Sequence, residues 1–245
     1  MTGDEVAKAT AATVSGLSSG FMLDPGTYAA GTERGFAGLD FYFAGRGGVL
    51  GDVCADVVTA AMVFFHPDHV RTQWDSCAGI MPREEASAVF AACEARWADE
   101  HLADDAGVDW RTLADLAGKV VQGAAAGGAP LFAAWRAVDA PSTEHSPRQA
   151  ALHQMNCLRE LRLARHGAAV LVSGLDLGDA VRHRTPYMAA IFGWEEAPLA
   201  EDVPSLWDEA ERLTNQASGR DYGVLDDAEA AELVRLCEAA TAAVR

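Results

Sequence analysis

Residues 147–174 read Pro-Arg-Gln-Ala-Ala-Leu-His-Gln-Met-Asn-Cys-Leu-Arg-Glu-Leu-Arg-Leu-Ala-Arg-His-Gly-Ala-Ala-Val-Leu-Val-Ser-Gly. Wound as a helix at about 100° per residue, this stretch brings His153, Asn156 and Glu160 within about 60° of one another as one polar stripe. Cys157, Leu158 and Leu161 cover the adjoining arc, and Arg159, Arg162 and His166 group on another side. Leu152, Met155 and Leu163 add apolar surface there too, so the helix is enclosed by neighbours on several sides. Its polar groups must then be hydrogen-bonded or line a cavity.

Helical periodicity extends outward from this stretch. After Met81-Pro82, the residues Ala86, Val89, Phe90, Cys93 and Trp97 recur at spacings of three and four, the buried face of a helix begun by a proline. Trp110, Leu113, Leu116, Val120 and Val121 repeat the pattern until the glycine-rich residues 123–128 break it, and Pro130 starts a short helix through Trp135. From Asp52 to Phe65 the chain is apolar almost all round, which predicts a helix buried in a bundle centre and ended by His66-Pro67. Asp226-Asp227 marks a helix start, with Leu233, Leu236, Cys237 and Ala240 as its buried stripe. Strand signals are scarce. Arg220 to Leu225, with Gly-Arg-Asp-Tyr-Gly at its centre, reads as a hairpin tip. The expected fold is mainly α: an N-terminal helical bundle over residues 1–185, followed over 186–245 by a winged-helix-like domain with a small β-hairpin.

The 245 residues carry 36 acidic side chains against 19 Lys and Arg, a formal charge of −17. Such an anionic field repels a polyanion, so nucleic acid is an unlikely partner. Residues 185–245 hold 13 of the acids and 4 of the bases, which makes the expected winged helix the more acidic part per residue. Residues 148–184 are a basic island, six arginines against Glu160, Asp176 and Asp179, suited to an anionic small molecule. Half of the residues are apolar and 22 % charged, an ordinary globular composition. No membrane span and no signal-peptide layout is visible, which predicts a cytoplasmic protein. The five cysteines lack C-x-x-C spacing and read as reduced core filler.

Four places carry groups capable of chemistry. His153 and Glu160, about 10.5 Å apart along the helix axis, could flank a small molecule as an acid/base pair. His66 and His69 share H-x-x-H spacing, which serves a metal only if further ligands converge; a haem axial role for His66 stays open, although no cofactor fingerprint accompanies it. Tyr42 to Gly51 joins aromatics to a glycine-rich turn without the phosphate-loop signature, and there Arg46 suits a bidentate contact with a carboxylate of protein or ligand. Asn156, Tyr42, Arg159, His166 and Trp135 complete the expected ligand contacts.

Tyr42-Phe43-Ala44-Gly45-Arg46 with Leu50-Gly51, Phe65-His66-Pro67, Pro130-Leu131-Phe132-Ala133-Ala134, His153 with Arg159-Glu160 and His166, and Gly193-Trp194 occur in that order. The set resembles an actinobacterial family of helical proteins described as helix-turn-helix or MarR-like, with members in specialised-metabolite gene clusters. The resemblance implies a helical domain followed by a winged-helix-like one and supplies no reaction. Where the family pattern has Glu and His in its first helix, this chain has Thr-Val-Ser-Gly-Leu-Ser-Ser-Gly-Phe at residues 13–21.

Together these features predict a small-molecule enzyme of specialised metabolism. His66, His153 and Glu160 would perform cofactor-independent addition, elimination, isomerisation or cyclisation on an anionic or polar intermediate, with no metal. The alternatives are a MarR-type ligand-responsive regulator acting as a homodimer, and a non-catalytic small-molecule-binding protein.

Overall fold

The computed structural model describes residues 1–104, 107–138 and 146–244. Twelve α-helices follow one another among the described residues: α1 (Gly3–Met22), α2 (Pro25–Thr32), α3 (Asp40–Gly47), α4 (Ala55–Met62), α5 (Pro67–Ser76), α6 (Arg83–His101), α7 (Trp110–Gly123), α8 (Pro130–Ala137), α9 (Pro147–Ser173), α10 (Leu177–Arg184), α11 (Val203–Tyr222) and α12 (Asp227–Ala242). Their starts follow local chemistry. Proline occupies the first turn of α2, α5, α8, α9 and α11, where its missing N–H loses nothing. Reciprocal side-chain and backbone hydrogen bonds cap α1 (Thr2, Glu5), α9 (Ser146, Gln149) and α12 (Asp226, Glu229).

The long helix α9 is the central strut, packed against α1, α6, α7, α8 and α11. Its first half is buried in the main apolar cluster through Leu152, Met155, Leu158 and Leu161, together with residues of α1, α3, α6 to α8 and α12. Its second half enters a smaller cluster of Phe64, Val170, Leu175, Ala180, Val181, Ala189, Val203 and Ala210. Between these clusters lies a seam.

The end of α9 is sharply defined. Gly174 adopts the left-handed conformation (φ 82°), its N–H donates to the Leu171 carbonyl, and the Leu175 N–H donates to Val170. This glycine cap turns the chain while Leu175 folds back onto Val170 in the second cluster. Asp176 then caps α10 by accepting from the Gly178 and Asp179 N–H groups at 2.8 and 3.1 Å. A helix, a three-residue turn and a second helix result.

Two sequence expectations are corrected. No β-strand occurs among the described residues, and the expected hairpin of a winged helix is absent; one isolated bridge joins Leu102 to Val244. Residues 220–222 are the last residues of α11, and Gly223 to Asp226 form the turn into α12. Helix is favoured here because Asp221 pairs with Arg165 at 3.1 Å and the buried Tyr222 hydroxyl accepts from Thr10 at 3.2 Å, contacts that a hairpin would break. Glycine and aspartate punctuate helix ends and hairpin tips alike. The apolar run from Asp52 to Phe65 yields only the short helix α4, with Val57 41 % exposed. That helix stops at Val63, not at His66-Pro67. Val63 has φ 57° and ψ −64°, and the Phe64 N–H donates to the Met62 carbonyl at 2.7 Å, a strained γ-turn. His66 starts α5 instead, its Nδ1 accepting from the Asp68 N–H.

Candidate functional site

The polar stripe of α9 resolves into two buried ion pairs. At its N-terminal end His153 Nδ1 lies 3.3 Å from Glu94 Oε2 of α6, and Nε2 lies 3.8 Å from Cys157 Sγ one turn on. Burial works against the imidazolium, but the hydrogen bonds it makes to Cys157 and Glu94 outweigh it and hold the His153 pKa well above the ordinary value. Seven residues on, Glu160 meets Arg46 of α3 in a two-point contact, Nε to Oε1 at 2.8 Å and Nη2 to Oε2 at 2.7 Å. Arg159 Nη1 donates to the same Oε1 at 2.9 Å, and Arg46 Nη1 donates to the Tyr42 hydroxyl at 2.7 Å. Arg46 and Glu160 are each 1 % exposed. Burial would raise the Glu160 carboxyl, yet the two guanidinium groups overcome it and hold its pKa below the usual carboxylate range. The carboxylate that Arg46 holds is thus the protein's own.

A cavity of about 260 Å³ opens beside this second pair, at the seam between the apolar clusters. Tyr42 and Arg46 of α3, Met62 of α4, and Phe64 and Phe65 of the following turn form one wall. Arg159, Leu163 and His166 of α9 form a second, and Val181 and Arg184 of α10 with Trp207 of α11 close the third. Three arginines and no acidic side chain line it. Glu160 neutralises the charge of one guanidinium; Arg184 is exposed and makes no ion pair among the described residues.

His166 is a neutral polar group of the cavity, alongside Ser15, Tyr42 and Thr185. Thr214 donates its hydroxyl proton to the Ala210 carbonyl at 2.7 Å, so at 2.9 Å from His166 Nδ1 it can only accept. Nδ1 therefore carries the proton, and Nε2 is an unpartnered acceptor. Burial, helped by Arg162, pushes the His166 pKa down to about 4. Glu211 stands 3.6 Å from Nδ1 but does not offset this, because Arg162 holds its carboxylate at 3.2 Å. The ring packs between Phe64 (centroids 5.3 Å apart) and Trp207 (5.2 Å).

Of the residues singled out from sequence, Tyr42, Arg46, Arg159 and His166 come together at the cavity. His153 sits deeper, against Glu94. Trp135 is fully buried and donates its indole N–H to the Arg46 carbonyl at 3.2 Å, a brace behind the pair. Asn156 is fully buried with neither amide atom hydrogen-bonded within the protein. His66 packs edge-on against Trp194, 4.9 Å between centroids. No group of three or more His, Cys, Asp or Glu with metal-binding geometry occurs among the described residues. Phe64, Phe65, Arg184, Phe192, Trp207 and Thr214 were not among the sequence candidates. Of these, Arg184 gave a signal as part of the basic island, and Phe65 as part of the Phe65-His66-Pro67 motif.

Residues 7–206 match a family described as the helix-turn-helix family. The chain belongs to the helix-turn-helix family. No curated protein and no solved structure is significantly similar to it. The matched region contains the whole cavity wall from α3 to α10 and the α9–Gly174–α10 turn, and ends just inside α11. Membership overturns the expectation of an acid/base enzyme: a helix-turn-helix family fits the regulator alternative better, and nothing found supports catalysis. It also speaks for nucleic acid as a partner, where net charge had argued against it. No helix among the described residues is long and apolar enough to cross a membrane.

Proposed function

We propose that this helix-turn-helix chain is a ligand-responsive DNA-binding regulator, with the seam cavity as its effector site and α9–turn–α10 as its helix-turn-helix. The observation that carries the reading is the sharing of one structural unit by both tasks. Arg159 and His166 of α9 and Val181 and Arg184 of α10 line the cavity, so a ligand there touches both helices of the motif. The last turn of α10 concentrates Arg182, His183 and Arg184 at the negative end of the helix dipole. Asp179 holds Arg182 at 2.8 Å, which leaves Arg184 the readier phosphate contact. A second copy of the chain would double so small a basic surface, as a two-fold operator requires.

The charge of −17 sets the conditions under which this works. Few phosphates are neutralised against a repulsive background, so binding is restricted to low ionic strength and to a specific site. Fluorescence anisotropy with the DNA upstream of the chain's own coding sequence tests this. The expected outcome is salt-sensitive binding that weakens in Arg182→Ala and Arg184→Ala, each lowering the salt slope by about 1. Absence of binding at the lowest usable ionic strength overturns the reading.

A further inference from the structure

From the arrangement of the cavity walls, which the preceding reading takes as the effector site, we infer that the ligand is a planar aromatic monocarboxylate of about two-ring size, bearing a hydroxyl group at the end remote from the carboxylate. Three features of the cavity specify these three parts of the molecule.

The anionic end follows from the uncancelled charge. Arg46, Arg159 and Arg184 face the cavity against the single carboxylate of Glu160. Arg159 spends only Nη1 on Glu160, which leaves its other nitrogens to donate, and Arg184 is unpaired among the described residues. A planar guanidinium with free donors suits a carboxylate, which accepts in its own plane. A neutral ligand would leave this charge uncompensated in a partly closed site.

The aromatic body follows from the walls. Tyr42, Phe64, Phe65, Phe192 and Trp207 line the cavity from four separate segments of the chain. Phe65 and Phe192 stack on one another there, with centroids 4.4 Å apart and planes 24° off parallel, and such an aromatic lining suits a flat ring. The volume of about 260 Å³ is enough for two fused rings.

The distal hydroxyl follows from His166. Arg159 and His166 are seven residues apart on α9, about 10.5 Å along the axis, the reach of a two-ring molecule with a group at each end. The histidine presents an unprotonated Nε2 with no protein partner, because Thr214 fixes the proton on Nδ1. An acceptor at that end selects a ligand O–H or N–H, and burial between Phe64 and Trp207 sharpens the choice.

Calorimetric titration of the full chain, without DNA, with 6-hydroxy-2-naphthoate tests the inference. The expected result is 1:1 binding that is at least about tenfold weaker for the neutral carboxamide and for the saturated-ring acid, the loss of a charge-assisted contact or of ring stacking. 2-Naphthoate, lacking the hydroxyl, is weaker than the parent in the wild type and equal to it in His166→Phe. Arg184→Gln, at an exposed residue with no ion pair to lose, folds as the wild type and binds about tenfold less tightly. Equal affinity for acid and amide, no heat with any of the probes, or an unchanged affinity in Arg184→Gln overturns the inference. Because DNA is left out, a chain that binds the acid but no DNA retires the regulator reading and keeps this one, and a chain that binds DNA but no aromatic acid does the reverse.

Discussion

The two histidines of α9, His153 and His166, stand on one helix and are driven in opposite directions. The first lies in the sealed half, where Glu94 and Cys157 hold its proton, and its pKa is well above the ordinary value. The second lies in the half that borders the cavity, where burial and Arg162 push its pKa down to about 4. Both are buried by the same helix, so burial alone does not decide which form a histidine takes. What differs is the compensation: at His153 the hydrogen bonds to Cys157 and Glu94 outweigh burial, whereas at His166 burial prevails and the Arg162 guanidinium adds to it. The sealed half is therefore charged and structural, and the open half is neutral and available to a ligand.

The most damaging way to break this contrast is to strand the charge at its midpoint. Glu160→Gln leaves the Arg46 guanidinium buried against a neutral amide, and a loss of about 3–5 kcal/mol of stability is expected by urea denaturation. Arg46→Met should cost less, since Arg159 still pairs with Glu160. A Glu160→Gln loss below about 1 kcal/mol, the range of exposed pairs, would mean that water reaches the pair.

The contrast is sharpened by pH. His153 has a raised folded-state pKa, so its contribution is complete below about pH 6.5 and is lost as pH rises through the raised value. His166 has a lowered one, so its contribution is present above about pH 6.5 and is lost as pH falls to about 4. Urea midpoints from about pH 4 to the alkaline side of neutrality should pass through a maximum near pH 6.5 and fall on either side. His166→Gln should flatten the acid limb, by on the order of 2–3 kcal/mol, and His153→Gln the alkaline one. Two variants that alter the same limb would remove the distinction between the halves.

The smallest effect concerns the approach of α4 to the open half. A Cβ on Gly167 would come 2.5 Å from Val63 Cγ1, in the strained turn that positions Phe64 and Phe65 in the cavity wall. Gly167→Ala should destabilise by about 1–3 kcal/mol and weaken ligand binding with it. Gly118→Ala, whose nearest neighbour would be Gln154 at 3.7 Å, should instead stabilise by a few tenths of a kcal/mol to about 1. Gly167→Ala behaving like Gly118→Ala would show that the turn yields freely.

Much of this architecture was legible in local sequence. Apolar spacing after Pro82, from Trp110 and from Asp227 marks α6, α7 and α12, because each face repeats at 3.6 residues and needs only one kind of neighbour, an apolar one. The reading failed where two structures share one local signal. Arg220 to Leu225 carries turn residues that serve a hairpin or a helix end, and Arg165 and Thr10, remote in sequence, favour the helix. The apolar residues 52–65 gave no sign of the γ-turn at Val63, whose unfavourable φ is held by surrounding packing.

The candidate site shows the same division. His153, Asn156 and Glu160 can be placed on one stripe from their spacing, and Arg46 can be recognised as a group suited to a carboxylate. Their partners cannot be so derived: Glu94 is 59 residues from His153, and Arg46 is 114 from Glu160. Trp207 and Thr214, which set the face and the tautomer of His166, give no periodic signal of their own.

The sequence by itself determined that the chain is helical, where most of its helices begin, and which polar groups share the central one, since these depend on contacts within a few residues. Only the tertiary structure decided which of those groups are sealed and which face a cavity. A side chain's protonation, its charge balance and its availability are set by whatever side chain is packed opposite, and that partner comes from a distant part of the chain.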